Sequence, residues 1–215
     1  MMRPTLTTGT PAQTARAVCV FLHGRGQSAE QMVTEVISSL DAPDVHFVLP
    51  QSPGIAWYDA KAVDEMTEDT AAQLAEALTL VRDAVEAARQ AVPDGPLVIA
   101  GFSQGACLAI EYLLRGGNAD AAAVLTGCRV GASGEDLPEE LAAPVPVYVS
   151  NGDADPWIPL WASQKATEAL IRRGARVHSE VFAGREHLVS KAEIIALSNL
   201  LNAVVAGKEL AEYRT

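Results

Sequence analysis

The stretch Leu-Val-Ile-Ala-Gly-Phe-Ser-Gln-Gly-Ala-Cys-Leu-Ala, residues 97–109, decides the fold of this chain. Its first four residues are apolar, as in an interior parallel strand, and its last residues are small and apolar, as in a buried helix. Between them, residues 101–105 match the pattern G-x-S-x-G, a sharp strand-to-helix turn that exposes a serine above a sheet. We therefore expect Ser103 at the apex of such a turn, in a strained backbone conformation.

Two glycines and the predicted helix support this interpretation. A chain that reverses within a few residues crowds its own backbone, so residues without a Cβ atom are needed on both flanks, here Gly101 and Gly105. The helix that begins near Gln104 places the positive end of its dipole beneath the serine. A developing oxyanion would be stabilised there, so the segment predicts a nucleophilic serine.

Length and composition predict a globular protein. The 215 residues suffice for one sizeable core, 49% of them are hydrophobic and 20% are charged. We predict one domain over residues 1–215, with residues 1–16 as an edge strand or a loose N-terminal segment. A formal net charge of -11 argues against binding to nucleic acid or to an anionic membrane surface, since both need a cationic face.

The cysteines and the hydropathy of the sequence indicate in which compartment the protein is expected. Cys19, Cys107 and Cys128 form an odd set without framework spacing, which argues against a disulfide scaffold. The first two lie in apolar segments, as is typical of buried thiols. No secretory segment follows Arg3, and no apolar run approaches the length that spans a membrane. We therefore expect a cytoplasmic protein without a membrane span.

Apolar strands alternate with helices along the rest of the chain. The predicted strands cover residues 17–22, 45–49, 97–100, 121–125, 145–149 and 176–182. The predicted helices cover residues 29–40, 64–92, 104–115, 160–173 and 190–205. Ser28 and Gln31 have the spacing of a capping box at the start of the first helix. The alternation predicts an α/β fold, with a mostly parallel sheet covered by helices on both faces.

Three residues that could form a catalytic triad follow separate predicted strands. The carboxyl ends of parallel strands meet at one edge of a sheet, where sites form. Ser103 needs a base to remove its proton, and the base needs an acceptor that holds its tautomer. His187 fits the first role and Asp155 the second, although Asp153 is an alternative acceptor and both aspartates also suit a tight turn.

An oxyanion hole would need two backbone N–H groups. One is expected from Gln104, the residue after the serine, and the other from the loop after the strand at residues 17–22. We predict Arg25 in that loop, because Gly24 and Gly26 flank it and allow its N–H to turn inward.

Two tryptophans and one loop each have two interpretations. Trp57, Trp157 and the loop after Thr126 could line a substrate pocket or simply pack against the body of the protein.

The remaining histidines are expected to be structural. His23 precedes the predicted oxyanion loop, while His46 and His178 open or enter strands and are expected on the surface or in the core. No spacing of histidine, cysteine or acidic residues suggests a metal site, and no cofactor is expected.

Five segments together resemble the phospholipase/carboxylesterase family, which includes the acyl-protein thioesterases and small bacterial carboxylesterases. They are FLHGxG at 21–26, LPQ at 49–51 with WYD at 57–59, GFSQGA at 101–106, GDxDP at 152–156 with Pro159, and GxxH at 184–187. The resemblance implies a minimal α/β-hydrolase fold without a large lid. It also implies Ser103, Asp155 and His187 as the triad, the N–H groups of Arg25 and Gln104 as the oxyanion hole, and hydrolysis of carboxylic esters or thioesters.

The sequence departs from the thioesterase branch of that family in two places. Arg25 stands where that branch commonly has leucine, and Arg185 and Glu186 precede His187 where it has smaller or apolar residues. Because a charged rim disfavours a long fatty-acyl channel, we do not extend protein depalmitoylation to this chain.

The functional hypothesis is a serine esterase that acts through an acyl-enzyme on a small-molecule ester or thioester. A small peptidase or amidase on the same scaffold is an alternative, and matched ester and amide substrates would separate the two. A non-catalytic binding protein of the same fold is a third alternative, although such proteins usually lack a triad member. The sequence leaves open the acyl chain length, the alcohol, and the oligomeric state, a homodimer included.

Overall fold

The computed structural model describes residues 5–131 and 141–208, and these residues form a seven-stranded sheet. Its strands are β1 (Leu6–Gly9), β2 (Ala17–Leu22), β3 (Val45–Leu49), β4 (Leu97–Phe102), β5 (Ala121–Leu125), β6 (Pro146–Gly152) and β7 (Arg176–Phe182). Their order across the sheet is β1-β3-β2-β4-β5-β6-β7. Neighbouring strands are parallel except for β1, which pairs antiparallel with β3.

Five helices flank the sheet in the described part of the chain. They are α1 (Ala29–Glu35), α2 (Glu68–Ala91), α3 (Gln104–Leu114), α4 (Leu160–Arg172) and α5 (Lys191–Val205). The capping box predicted at Ser28 is confirmed: its hydroxyl accepts the N–H of Gln31, whose side chain accepts the N–H of Ser28. Ser190 and Glu193 form the same arrangement at the start of α5.

The two faces of the sheet carry separate hydrophobic clusters. Helices α2, α3 and α4 pack on one face, and α1 and α5 pack on the other. Alternate residues of β2 point to opposite clusters, with Val18 and Val20 on the first side and Cys19 and Phe21 on the second. Burial on both faces explains why the central strands are continuous apolar runs. The predicted α/β class, a sheet covered on both sides, is confirmed.

The register of the central strands decides where the site forms. Leu22 of β2 lies beside Gly101 of β4, and Phe102 lies beside Leu125 of β5. The carboxyl ends of three neighbouring strands therefore meet at one edge of the sheet, next to residue 103.

Part of the N-terminal segment forms an edge strand, which is one of the two alternatives predicted for residues 1–16. β1 pairs with β3 through residues 6–9 opposite residues 46–49. Residues 1–4 lie outside the described part of the chain. The prediction of one domain over residues 1–215 stays a prediction.

Several element ends differ from the prediction. α1 ends at Glu35 and not near Leu40, and a short 3-10 turn follows at Ile37–Ser39. Val36 leaves the helical conformation at φ -124° and is buried, as is Ile37. A continued α-helix would turn one of these adjacent side chains away from the sheet, because successive residues point about 100° apart.

The long helix and two strands also shift at their ends. α2 begins at Glu68 and not at Asp64, because the Thr67 side chain accepts the N–H of Thr70 and caps it. β4 continues to Phe102 and β6 to Gly152, since their neighbours β5 and β7 continue to pair with them. Pro146 lies at the start of β6, as expected for a residue that cannot donate to a central ladder.

The helices differ from a membrane span in length or in hydropathy. Within residues 5–131 and 141–208, each helix is too short or too polar to cross a membrane.

Candidate active site

Ser103 is the one residue that joins β4 to α3. Its backbone adopts φ 55° and ψ -120°, a conformation that residues with a Cβ atom rarely occupy. Its N–H donates to the carbonyl of Leu125 at 3.0 Å, and its carbonyl accepts the N–H of Cys107 at 3.0 Å. These bonds to β5 and to the first turn of α3 hold the strained residue in place, as the sequence predicts.

The two glycines of the turn are required by close packing. A Cβ atom on Gly105 would lie 2.0 Å from the carbonyl oxygen of Leu22. One on Gly101 would lie 2.5 Å from the carbonyl group of Gly105. The first turn of α3 therefore rests directly on the backbone of β2, and the crowding expected from the sequence is confirmed.

The side chains of Ser103, His187 and Asp155 form one continuous chain of hydrogen bonds. His187 Nε2 lies 2.9 Å from Ser103 Oγ, and His187 Nδ1 lies 2.7 Å from Asp155 Oδ2. Because a carboxylate only accepts, Nδ1 carries the proton, and Nε2 is left to accept the proton of the serine hydroxyl. This is the tautomer that a general base beside a serine requires.

Asp155 is fixed by its own turn. Its Oδ1 accepts the backbone N–H groups of Trp157 and Ile158, both at 2.8 Å, while Oδ2 is left for His187. The side chain of Asp155 is fully buried. Its geometry is therefore set by the backbone that follows β6.

Asp153, the alternative acceptor, has a different partner. Its Oδ1 accepts the N–H of Gly184 at 2.6 Å. Gly184 is the second residue of the His187 loop, which we define as residues 183–189, and has φ +69°. Asp153 thus fastens this loop to the end of β6, and of the two aspartates Asp155 is the one that contacts His187.

The segment predicted to contribute to an oxyanion hole lies beside the serine. A Cβ atom on Gly24 would be 3.2 Å from Cβ of Ser103. Within the described residues, neither the backbone N–H of Arg25 nor that of Gln104 has a hydrogen-bond acceptor. Both groups are therefore available to a ligand, and their role in an oxyanion hole stays a prediction.

The side chains of these same two residues hold the segment 57–60. The guanidinium of Arg25 donates to the carbonyls of Tyr58, Asp59 and Ala60 at 2.7–3.0 Å. Gln104 accepts the N–H of residue 57 at 3.0 Å and donates to the carbonyl of Tyr58 at 2.8 Å. The sequence predicts a role for the backbone N–H groups of Arg25 and Gln104. It does not indicate that their side chains hold the segment 57–60.

A cleft of about 330 Å³ opens next to Ser103 and His187. Its wall includes Tyr58, Cys107 and Trp157. Trp157 is 64% exposed, and its role in substrate binding stays a prediction. The described part of the loop after Thr126 does not line the cleft, and residues 132–140 of that loop lie outside the described residues.

Trp57 does not line this cleft, which corrects its assignment as a candidate substrate-binding residue. Its side chain is 5% exposed, and its indole N–H donates to the carbonyl of His23 at 2.9 Å. The ring packs against the imidazole of His23 with centroids 4.9 Å apart. Its neighbour Tyr58 lines the cleft instead.

The other histidines have backbone or stacking partners. Buried His23 contacts the carbonyl of Gly24 through Nδ1 and accepts the N–H of Ser52 through Nε2. His46 Nδ1 contacts the carbonyl of Thr10, and half-exposed His178 stacks on Tyr148. Across the two described ranges, no group of three or more His, Cys, Asp or Glu side chains could hold a metal ion.

Arg185 is buried, which corrects the expectation that it forms part of a charged rim. Its guanidinium donates to the carbonyls of Glu186 and Leu188 and to the hydroxyl of Thr126. It also lies 3.5 Å from the buried carboxylate of Glu193. The charge is therefore used inside the protein to hold the His187 loop. Of the three charged residues in the rim argument, Arg25 and Glu186 are exposed and Arg185 is not.

A second buried acidic residue fixes the segment after β5. Glu111 of α3 is fully buried and bonds to the guanidinium groups of Arg129 and Arg115 at 2.8 Å and 3.0 Å. It also accepts the N–H of Val130 at 3.0 Å. Sequence reasoning did not single out Glu111, since its burial is visible only once α3 is folded against this segment.

Comparison with protein families and with known proteins gives a consistent result. The model of the family described as Phospholipase/Carboxylesterase matches residues 5–205. Acyl-protein thioesterase 1 of Cryptococcus neoformans is 24% identical over 182 residues, which cover 76% of each protein.

Solved structures also resemble this chain. A phospholipase/carboxylesterase from Dyadobacter fermentans superposes with a TM-score of 0.82 at 28% identity, covering 92% of this chain and 95% of that one. Acyl-protein thioesterase 2 of Zea mays gives a TM-score of 0.74 at 20% identity, covering 94% and 99%. The second likeness shows the fold alone.

Proposed function

Because the chain belongs to the phospholipase/carboxylesterase family of α/β-hydrolases, a family of serine esterases, we propose that it hydrolyses carboxylic esters or thioesters through an acyl-enzyme on Ser103. One observation carries the proposal: Ser103, His187 and Asp155 are joined by hydrogen bonds of 2.9 Å and 2.7 Å at the mouth of a cleft. The chain is thus an enzyme of the carboxylesterase type, and the steps below are what we propose for it.

Acylation begins when the substrate carbonyl lies against Ser103. His187 Nε2 takes the hydroxyl proton while Oγ attacks the carbonyl carbon, and Asp155 stabilises the imidazolium that forms. His187 then returns the proton to the leaving alcohol or thiol. The fixed carboxylate matters here because it stabilises the imidazolium and holds its tautomer without moving.

The oxyanion of the tetrahedral intermediate would be bound by the N–H groups of Arg25 and Gln104. Both donors lack an acceptor among the described residues, and Gln104 lies at the positive end of α3. One such donor typically contributes about 10²–10³ in rate. Deacylation repeats the sequence, with water activated by His187 in place of the serine hydroxyl.

We further propose that short acyl chains are preferred. The cleft of about 330 Å³ lies at the lower end of the size range of ligand pockets. Arg25 and Lys61 in its wall would place cationic groups beside the substrate. Because Arg185 is buried, it does not contribute a charge at the rim. The preference for short acyl chains therefore rests on the size and the charged wall of the cleft.

A series of p-nitrophenyl esters tests both proposals. We expect the acetate and butyrate esters to be hydrolysed with higher kcat/KM than the palmitate ester, and Ser103→Ala to lose activity toward all of them. Thr8→Ala, an exchange in the edge strand far from the site, serves as a matched hydroxyl control. Undiminished activity of Ser103→Ala would remove Ser103 from the mechanism.

Two further measurements separate the alternative functions. A fluorophosphonate probe should label Ser103, and failure to react would favour a non-catalytic binding protein. Anilides matched to the best esters test for amidase activity, and we expect much lower kcat/KM for them.

A cytoplasmic location is also proposed. It is supported by three cysteines that are free and buried, as is usual in a reducing compartment.

A further inference from the structure

Two of the three cysteines lie side by side next to the site. Cys107 is on the first turn of α3, and Cys128 is on the segment after β5. Their sulfur atoms are 4.0 Å apart, and both residues are buried. Cys19, in the middle of β2, is buried as well, but neither of the other sulfurs bonds to it.

The two sulfurs have different surroundings. Cys107 Sγ accepts the N–H of Cys128 at 3.3 Å, while the Cys128 thiol donates to the carbonyl of Ala62 at 3.3 Å. Hydrogen bonding to Cys128 lowers the pKa of Cys107 although burial opposes it, and hydrogen bonding to Cys107 together with burial raises the pKa of Cys128. Cys107 is therefore the sulfur that ionises first.

Of the three cysteines, Cys107 is the one that lines the cleft, together with Ser103, Tyr58 and His187. A small molecule bound beside the serine therefore lies close to Cys107, although this residue is only 2% exposed. Cys128 is not among the residues that line the cleft. Cys19 is enclosed in the cluster on the opposite face of the sheet.

We propose that Cys107 and Cys128 are a modification site: a peroxide converts them to a disulfide that reversibly stops ester hydrolysis. The activity readout rests on the proposed function, whereas the formation of the bond does not.

The chemistry balances with hydrogen peroxide as the oxidant. The Cys107 thiol ionises, its thiolate attacks one peroxide oxygen, and the O–O bond breaks. The sulfur becomes a sulfenic acid, and the other oxygen leaves as hydroxide, which takes up the proton released by Cys107 and becomes water. The Cys128 sulfur then attacks the sulfenic sulfur, its proton passes to the leaving oxygen, and a second water departs. Two thiols lose two electrons, and one peroxide becomes two waters.

The bond would disturb both partners of the Ser103–His187 contact. A disulfide brings sulfur atoms to about 2 Å, so the two segments must approach each other. The N–H of Cys107 bonds to the carbonyl of Ser103, which puts the serine on one of these segments. Thr126, two residues before Cys128, accepts from the Arg185 guanidinium that holds the His187 loop. A misplacement of about 1 Å at a catalytic group can cost about 10² in rate.

Peroxide titration of the reduced protein tests the proposal. We expect activity toward p-nitrophenyl butyrate to fall at least tenfold, in step with loss of two hydrogen masses from the intact protein, and to return with dithiothreitol. Peptide mapping should find the segments with Cys107 and Cys128 joined. This mapping uses the wild-type protein, so it does not depend on whether a variant folds.

Two variants provide the controls. Cys19→Ser should respond to peroxide as the wild type does, while Cys128→Ser should form no cross-link and keep more of its activity. Absence of the joined peptides, full activity in the cross-linked protein, or equal inactivation of Cys128→Ser would overturn the proposal. If the reduced wild type hydrolyses no ester, the proposed function fails, and the peptide map still decides whether the disulfide forms.

Discussion

Asp155 and Asp153 stand two residues apart after β6 but bond to different partners. Asp155 accepts Nδ1–H of His187 at 2.7 Å, and Asp153 accepts the N–H of Gly184 at 2.6 Å. One change to each side chain therefore separates the proposed catalytic contact from a structural one. We expect Asp155→Asn to lower kcat by about 10⁴, since the amide can donate to the imidazole and favour the wrong tautomer.

Asp153→Asn is the matched control for that experiment. The amide oxygen can still accept from Gly184, so we expect kcat to change less than tenfold. Steady-state kinetics of both variants with one p-nitrophenyl ester make the comparison. Equal losses in the two variants would contradict the assignment of Asp155 as the partner of His187.

At the residue scale, the sequence predicts the side chains that motifs name and misses those that only packing reveals. Ser103 and His187 follow predicted strands, so their meeting could be expected from strand direction alone. The burial of Arg185 could not be expected from the sequence, because arginine is rarely fully buried and a position two residues before the histidine would be assigned to the surface. The sequence does not decide whether Trp57 lines a pocket or packs against the protein, because it does not show which side of a loop faces the cleft.

At the scale of elements, α3 and β2 are in direct backbone contact beside the serine. Gly105→Ala would bring a methyl group to 2.0 Å from the carbonyl oxygen of Leu22, so α3 must move away from the sheet. We expect a loss of about 3 kcal/mol in the free energy of unfolding, at the upper end of overpacking effects. Activity should fall as well, because Ser103 directly precedes the displaced first turn of α3.

Gly116→Ala is the control, because it lies at the other end of the same helix. Gly116 has φ +83° with open space around it, so alanine there adds backbone strain of about 1–2 kcal/mol and no clash. Urea unfolding and esterase assays of both variants test the difference. A Gly105→Ala protein that is as stable and active as the wild type would show that α3 does not rest on β2.

The His187 loop and α5 are joined by a buried ion pair. Arg185→Met would leave the fully buried Glu193 carboxylate with the Ser150 hydroxyl and the N–H of Ser190 as its remaining partners. We expect the free energy of unfolding to fall by about 3–5 kcal/mol, the usual cost of removing one partner of a buried pair. Chemical denaturation measures it, and kcat should fall because the loop carries His187.

An exposed pair on α4 gives the matched comparison. Arg172 and Glu168 are 3.0 Å apart with side chains 75% and 60% exposed, so Arg172→Met should cost about 0.5 kcal/mol or less. If both substitutions cost the same, the buried network does not stabilise the loop.

Element types were easier to predict than element ends. The continuous apolar strands and the capping box at Ser28 are local patterns, and the structure has them where the sequence predicts them. The ends of α1 and β4 are decided by tertiary contacts: buried Val36 and Ile37 both face the core, and β4 lengthens because β5 continues beside it. No local pattern encodes such contacts.

At the scale of the whole molecule, the prediction of one domain implies one cooperative unfolding transition. The two hydrophobic clusters share every central strand, so neither can open without exposing the other. Fluorescence and circular dichroism should give the same midpoint in urea. Two separated transitions would show that the chain contains more than one unit.

The net charge of -11 predicts how stability responds to salt. Like charges repel one another more in the compact state than in the unfolded chain, so screening should stabilise the protein. Exposed ion pairs such as Arg172–Glu168 contribute little stability that salt could remove, and the buried pairs of Glu111 and Glu193 are screened less.

We therefore expect the melting temperature at pH 7 to rise as sodium chloride increases from 10 mM to about 150 mM, where the Debye length falls to about 8 Å. Near the isoelectric point the repulsion disappears, and the same salt step should leave the melting temperature nearly unchanged. A melting temperature at pH 7 that falls with salt would mean that attractive pairs, and not repulsion, dominate the electrostatics of the folded protein.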